Sequence, residues 1–237
     1  MVRKIFFLAA VVAVVMTGGA ARAEQAQPLQ VSLFTPVQLV PVQESVRGLR
    51  LDLIYGENES VTGIDLGLAN RANANLEGIE WGLVNINGGH TYGWQSGFVN
   101  VDGTRVVGLQ TGAVNTVAGE TTGIQWGVVN WNEGFVHGWQ EGLFNYVGGD
   151  FLGWQDGGVN VVKGDVGGLQ TGFVNLVDGH VDGVQAAFIW NYAKSVHGVQ
   201  IGLVNATRSL NGLQIGIGNY NGNKNPFEFF PVVNWSF

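Results

Sequence analysis

From residue 63 to residue 219, apolar residues alternate with small or polar ones in a fixed order. The order is Gly-apolar-Gln-variable-Gly-apolar-Val-Asn, then an apolar residue, a turn around glycine and a Val two before the next Gly. Gly108-Leu109-Gln110-Thr111-Gly112-Ala113-Val114-Asn115 is a clean copy. Alternation at period two predicts strand and not helix. The block returns every 15 residues, eleven times: Gly63, Gly78, Gly93, Gly108, Gly123, Gly138, Gly153, Gly168, Gly183 and Gly198, with a last spacing of 14 to Gly212. Two residues on, Asp65 and Glu80 open a column continued by Gln95, Gln110, Gln125, Gln140, Gln155, Gln170, Gln185, Gln200 and Gln214. The second glycine is replaced only at Ala187, and the asparagine is displaced only at Asn191. The connections carry Gly119, Gly134, Gly149, Gly164 and Gly179, with Asn87-Gly88 and Asp102-Gly103 as turn pairs. Each unit therefore reads as a strand of up to nine residues and a connection of about six, and the constant length predicts one unit stacked on itself.

Two all-β architectures accept this unit. In a β-solenoid each unit is one coil, and equivalent residues stack in parallel columns about 4.8 Å apart. In an antiparallel outer-membrane β-barrel each unit is one strand, with the Gly-Gln-Gly face in the lumen. The near-palindrome Val106-x-Gly108-x-Gln110-x-Gly112-x-Val114 serves a strand running either way. Three features favour a solenoid of about 15 residues per coil with strand-like caps. The connections do not alternate between short and long. Residues 78–122 resemble residues 123–167, a copy three units away that would face backwards in a barrel. Glu141 and Asp156 would face lipid near mid-membrane there, which costs a few kcal/mol each. In the solenoid, the Gln column belongs inside as an amide ladder, because stacked glutamines bond to one another along the axis. Trp94, Phe98, Trp139, Trp154 and Phe173 then lie outside as an interaction stripe, since exposed apolar patches mark contact surfaces. The opposite choice buries Glu141 beside Asp156.

The ends break the period. Residues 1–23 read as a secretory signal: Arg3 and Lys4, the apolar run Ile5 to Met16, and the small-residue site Ala21-Arg22-Ala23. Residues 24–62 hold N-terminal strands or a cap with Pro36 and Pro41. Residues 63–219 hold the eleven repeats, and residues 220–237 a C-terminal capping strand.

Composition sharpens this picture. Of 11 basic residues, Arg3, Lys4 and Arg22 lie in the leader, leaving 8 against 18 acidic ones, a net charge of −10. Such a chain repels nucleic acid and anionic lipid headgroups, so no nucleic-acid partner is expected. Only 12% of residues are charged and 46% are apolar, which fits a buried ladder or a lipid-facing surface. With no cysteine, the repeats hold together without disulfides.

Candidate chemistry is sparse. His137 and His197 share a column four coils apart, and His90 and His180 another six coils apart, too distant to converge on zinc. Asp150 with Asp165, and Glu141 with Asp156, are adjacent carboxylates that could hold calcium or suggest glycoside hydrolysis. Repeat columns produce such pairs without catalytic demand, so solvated acids are expected. No nucleophile elbow, phosphate loop or Ser-His-Asp order occurs. The expectation is no enzyme, no cofactor and no metal; the tryptophans could stack on sugars, although packing is the more economical role.

Three blocks carry a resemblance: "VRGLRLDLIYGENESVTGIDLGLAN", the forms "GLQTGFVN" and "GLQIGLVN", and the ending "FFPVVNWSF". Together they resemble the bacterial "surface repeat-containing" proteins across most of the chain after the leader. That resemblance implies an exported envelope or surface protein with no established activity. With the sparse chemistry above, the expectation is a non-enzymatic repeat protein at the cell surface or outer membrane, with the periplasm as the other compartment. Its partner would be a protein, a glycan or a membrane surface. The ending, with Phe237 last and Trp235, Val233 and Phe229 on one face, also resembles the terminal strand of outer-membrane barrels. It keeps open the alternative of a barrel, and with it a pore.

Overall fold

Every first glycine of the repeat has φ between +115° and +146°, and the series begins at Gly48, one unit earlier than the sequence period suggests. Only glycine holds that backbone without strain. Space imposes the same choice, since a Cβ on Gly123 would lie 2.0 Å from the Gly108 carbonyl oxygen. The constant glycine is thus the price of stacking one coil directly on the next.

The computed structural model describes residues 26–224 and 226–237, so the secretory-signal segment, residues 1–23, lies outside the described residues. The chain forms a β-solenoid of about 13 turns with 15-residue spacing. At 4.8 Å per coil this gives a rod about 60 Å long. From the coil of Gly63 to that of Gly168 neighbouring coils pair in parallel without slip, for example Gln110 with Gln125, Gln140 and Gln155 in turn, and Asn115 with Asn130, Asn145 and Asn160. In the first coils the register shifts by one residue between Asp52 and Tyr55. The barrel alternative is thereby overturned, because a barrel of these units needs antiparallel neighbours. Among the described residues antiparallel pairing occurs only at the two ends. Val37–Gln38 folds back on Gln27–Phe34, and Phe229–Ser236 lies against Val204–Asn221.

Each coil is two-sided. In the unit of Gly78, strand Leu76–Trp81 leads to a corner at Gly82-Leu83, then strand Val84–Asn87 and a turn at Gly88-Gly89. The expected single strand of nine residues is therefore bent at the second glycine, and the inward parity changes there. Before the corner, Gln and the residue two ahead of the first glycine face in; after it, Asn and the residue two beyond it do. Val106, Gln110, Asn115 and Val117 illustrate the four inward columns, all buried. The second glycine makes room for the asparagines: a Cβ on Gly112 would lie 2.7 Å from Asn100 Nδ2.

Ala187 shows the tolerance of this corner. The coil gains one residue after it, yet displaced Asn191 keeps its column, accepting from Asn175 Nδ2 at 3.0 Å and donating to Asn205 at 2.8 Å. The following turn is shorter by one, which restores the register with Gly198 on Gly212.

Candidate interaction surface

The inner columns are two hydrogen-bonded amide ladders of opposite polarity. In the Gln column, each Nε2 donates to the Oε1 of the preceding coil, as from Gln110 to Gln95 at 2.8 Å and from Gln155 to Gln140 at 2.7 Å. In the Asn column, each Nδ2 donates to the Oδ1 of the following coil, as from Asn115 to Asn130 at 2.8 Å. The second Asn hydrogen reaches a backbone carbonyl, such as that of Trp126 at 3.0 Å. A net gain of about 1 kcal/mol per bond, repeated on every rung, gives a polar interior that is satisfied through the middle coils. Its unpartnered atoms are confined to the ends of the ladders, such as Asn70 Oδ1 and Gln214 Oε1, and to the charged N-terminal coils.

At the N-terminal end the same column changes to charge. Register places Gln30, Arg50, Asp65, Glu80 and Gln95 one above another. Arg50 is fully buried and donates from Nε and Nη2 to the two Asp65 oxygens at 2.7 and 2.5 Å. Asp52 Oδ2 lies 3.1 Å from Arg50 Nε, and its Oδ1 accepts from Ser32 at 2.6 Å. Burial opposes the Arg50 charge, but Asp65 outweighs it and holds the guanidinium pKa above its ordinary value. Burial pushes Asp52 up to about 6 despite Arg50. Burial and then Asp65 push Glu80 well above the carboxylate range. One Glu80 oxygen accepts from Gln95 at 2.9 Å and Asn87 at 3.0 Å, and the other is buried without a partner. Asp102, on the opposite sheet, accepts from Gln110 at 2.6 Å and from Thr91, and burial raises it to about 7.

Outside, the structure places the five stripe residues in two columns. Trp94, Trp139 and Trp154 follow the first glycine and share a register column with Leu109 and Ile124 between. Trp139 and Trp154 stack with centroids 5.2 Å apart and planes within 2°, whereas Trp94 stands three coils away, about 14 Å. Phe98 and Phe173 sit on the corner after the second glycine, and Phe173 meets Phe188 edge-on at 5.8 Å. Two further groups escaped the sequence reading. Trp126 extends the tryptophan stack to Trp139 at 6.1 Å, and Trp131 stacks on Tyr146 at 4.0 Å on the second sheet. Their 15-residue spacing was a signal available for the second pair.

The acidic turn pairs do structural work. Asp150 Oδ1 accepts the Asp165 backbone N–H at 2.8 Å, and Asp165 Oδ1 accepts that of His180 at 2.7 Å, so each caps the next coil. Asp156 is held by the Thr171 hydroxyl. Among the described residues no cluster of His, Cys, Asp or Glu could hold a metal ion. An open apolar groove of about 700 Å³ runs along the first coils, lined by Val31, Leu33, Leu51, Leu53, Leu66 and Leu68, with Ser32 and Asp52 at its floor. No helix among the described residues is long and apolar enough to cross a membrane. The fold and its surface define a two-sided β-solenoid with an amide interior and exposed aromatic columns. Comparison with protein-family models, curated proteins and solved structures returns no match.

Proposed function

We propose that the chain is an exported, non-enzymatic repeat protein of the bacterial envelope, at the cell surface or outer membrane, whose rigid ladder presents a contact surface. The observation that carries this reading is the stack of Trp126, Trp139 and Trp154 on the outside of an in-register rod. Trp126 and Trp154 are exposed with half-buried Trp139 held between them. Aromatics ordered in this way on a rigid scaffold suit recognition, since binding orders little that is not already ordered. The signal-like leader and the resemblance to surface repeat proteins supply the compartment. The pore reading falls with the barrel on which it rested.

Replacing Trp94, Trp139 and Trp154 together by Ser tests the reading. The melting transition should stay cooperative, while sedimentation with washed envelope fragments should fall at least tenfold. Undiminished association of the folded triple variant would overturn it.

A further inference from the structure

Around each coil the outward positions change character in a fixed order. Between Gly78 and Gly212, outward acids, bases and histidines sit at the turn after the second strand or just before the next first glycine. Arg105, Glu120, Glu133, Lys163, Asp165 and Asp178 are examples, and Glu141 and Asp156 are the two exceptions. The opposite corner, after the second glycine, carries no charge in any repeat. Leu83, Phe98, Leu143, Phe173, Phe188 and Ile217 protrude there, 57–73% exposed. On the second sheet the first outward column is apolar, with Val99, Val114, Val129 and Phe144. On the first sheet the column nearest the corner is mixed, with Thr111, Glu141, Asp156 and Thr171 beside Trp126, and the next one out is apolar from Trp94 to Leu169. The apolar groove of the first coils continues the same side.

The occupant follows from shape, area and charge. The exposed apolar side chains of this belt present on the order of 2,000 Å² at roughly 80–100 Å² each, against about 800 Å² per partner in a standard interface. They lie on two opposite sheets and the edge between, so a flat partner or a second copy covers one sheet, whereas a fluid apolar phase covers both. The aromatic types are graded. Phenylalanine occupies the corner, and Trp81 and Trp126 stand two residues before it, level with Glu141 and Asp156. Trp94, Trp139, Trp154, Trp131 and Tyr146 stand further back, where membrane–water interfaces collect Trp and Tyr. Glu141 and Asp156 lie two residues before the corner, about 7 Å along the strand. An interfacial element enters a bilayer by about 5–10 Å, which leaves both carboxylates among the headgroups. The net charge of −7 disfavours anionic lipid.

From this geometry we infer that the corner is a lipid-binding edge: the rod lies along a zwitterionic membrane surface with the corner inserted into the outer part of one leaflet. The inference rests on the reading of the chain as a surface-binding repeat protein, and gives that surface a chemistry.

The test is flotation of the full chain with neutral phosphatidylcholine vesicles. The wild type should float, with little change between low and high salt. Leu143→Glu with Phe173→Glu should cut flotation at least tenfold and leave the melting temperature and far-ultraviolet spectrum unchanged. Glu141→Leu with Asp156→Leu should raise it severalfold. Because the described residues hold no cysteine, a nitroxide can be placed at Leu143→Cys on the corner or Asp178→Cys at the turn. With vesicles, the first should gain access to oxygen and the second should stay open to a water-soluble nickel chelate. Absence of flotation overturns the inference. So does a dimer in sedimentation that dissociates in the Leu143→Glu, Phe173→Glu variant, because the corner is then a self-association surface. In either case, loss of envelope association in the tryptophan triple variant would leave the broader reading standing; its failure as well would remove both.

Discussion

The coils before Gly103 and those after it share one backbone and differ inside. From Gly108 onward the Gln column is neutral and each amide serves the next. Below Gln95 the same positions hold Glu80, Asp65 and Arg50. The ladder's polarity accounts for the change. Each Gln donates towards the N-terminus, so the first of them needs an acceptor beneath it, and a carboxylate is an acceptor-only side chain when ionised and still an acceptor when protonated. Stacked acids in turn require the cation that Arg50 provides. The opposite end shows the complement: Gln214 Oε1 is buried with no donor above it. The Asn ladder, running the other way, leaves Asn70 Oδ1 without a partner at its N-terminal end and donates from Asn219 to the Phe230 carbonyl of the closing strand at 3.1 Å. A directional ladder cannot have two identical ends, and the difference between the two halves is the consequence.

The largest effect should come from breaking the charged end. Arg50→Met leaves Asp52, Asp65 and Glu80 buried without their cation and should cost about 3–5 kcal/mol in denaturant titration. Arg50→Gln with Asp52→Asn, Asp65→Gln and Glu80→Gln removes the cation together with all three acids, extends the neutral ladder and should be neutral or stabilising by about 1–4 kcal/mol. A large loss in this quadruple variant would show that the charges fix the register of the first coils.

Proton linkage separates the halves almost as strongly. The folded pKa of Asp102, about 7, lies above its ordinary 3.8, so the folded state holds a proton that the unfolded chain has released between those values. Its contribution is therefore fully present below pH 3.8 and is lost as pH rises to 7, by as much as about 4 kcal/mol. Asp52, raised to about 6, and Glu80 act in the same direction. Thr121 and Asn132 repeat the Thr91–Asp102 arrangement with an amide in place of the acid, at 2.6 Å. Asp102→Asn should accordingly fold well, gain stability at pH 8 and lose much of the slope between pH 4 and pH 8. An unchanged slope would mean that Asp102 is ionised in the folded chain.

In the neutral half, Gln155→Met keeps most of the volume and removes both ladder bonds. It strands Gln170 Nε2 and Gln140 Oε1. A cost of about 2–3 kcal/mol is expected in the same titration, and less than 1 would mean that water or a shifted neighbour repairs the gap.

Much of this was legible in the sequence, for reasons that also mark where the reading stopped. A 15-residue period with no length change fixes parallel columns, and it placed Gln95 to Gln214 inside and the tryptophans outside. The strand was drawn too straight because period-two alternation continues through the second glycine, where the chain turns. Phe98 therefore shares the parity of Trp94 and yet stands on another side of the rod. Arg50 was missed because its surroundings, Leu49-Arg50-Leu51-Asp52-Leu53, read as an irregular cap, although Gly48 precedes Gly63 by the same 15 residues. Asp102 was read as part of a turn pair, whereas its side chain points inward one residue before the turn begins.

The smallest predicted effect isolates what burial contributes. Lys163 and Asp178 form an ion pair at 2.8 Å between residues 15 apart, the same rung spacing as Arg50 and Asp65 at 2.5 Å. The first pair is about half exposed and the second is fully buried. In water the attraction is screened and offset by ordering two long side chains, so Lys163→Ala should change the unfolding free energy by no more than about 0.5 kcal/mol. It should also respond to salt, as a surface pair does. Arg50→Met should not, because its cost lies in stranded carboxylates that no counterion reaches. If the two substitutions cost the same, rung geometry and not the dry interior would set the value of the pair, and packing would be what holds the charged end together.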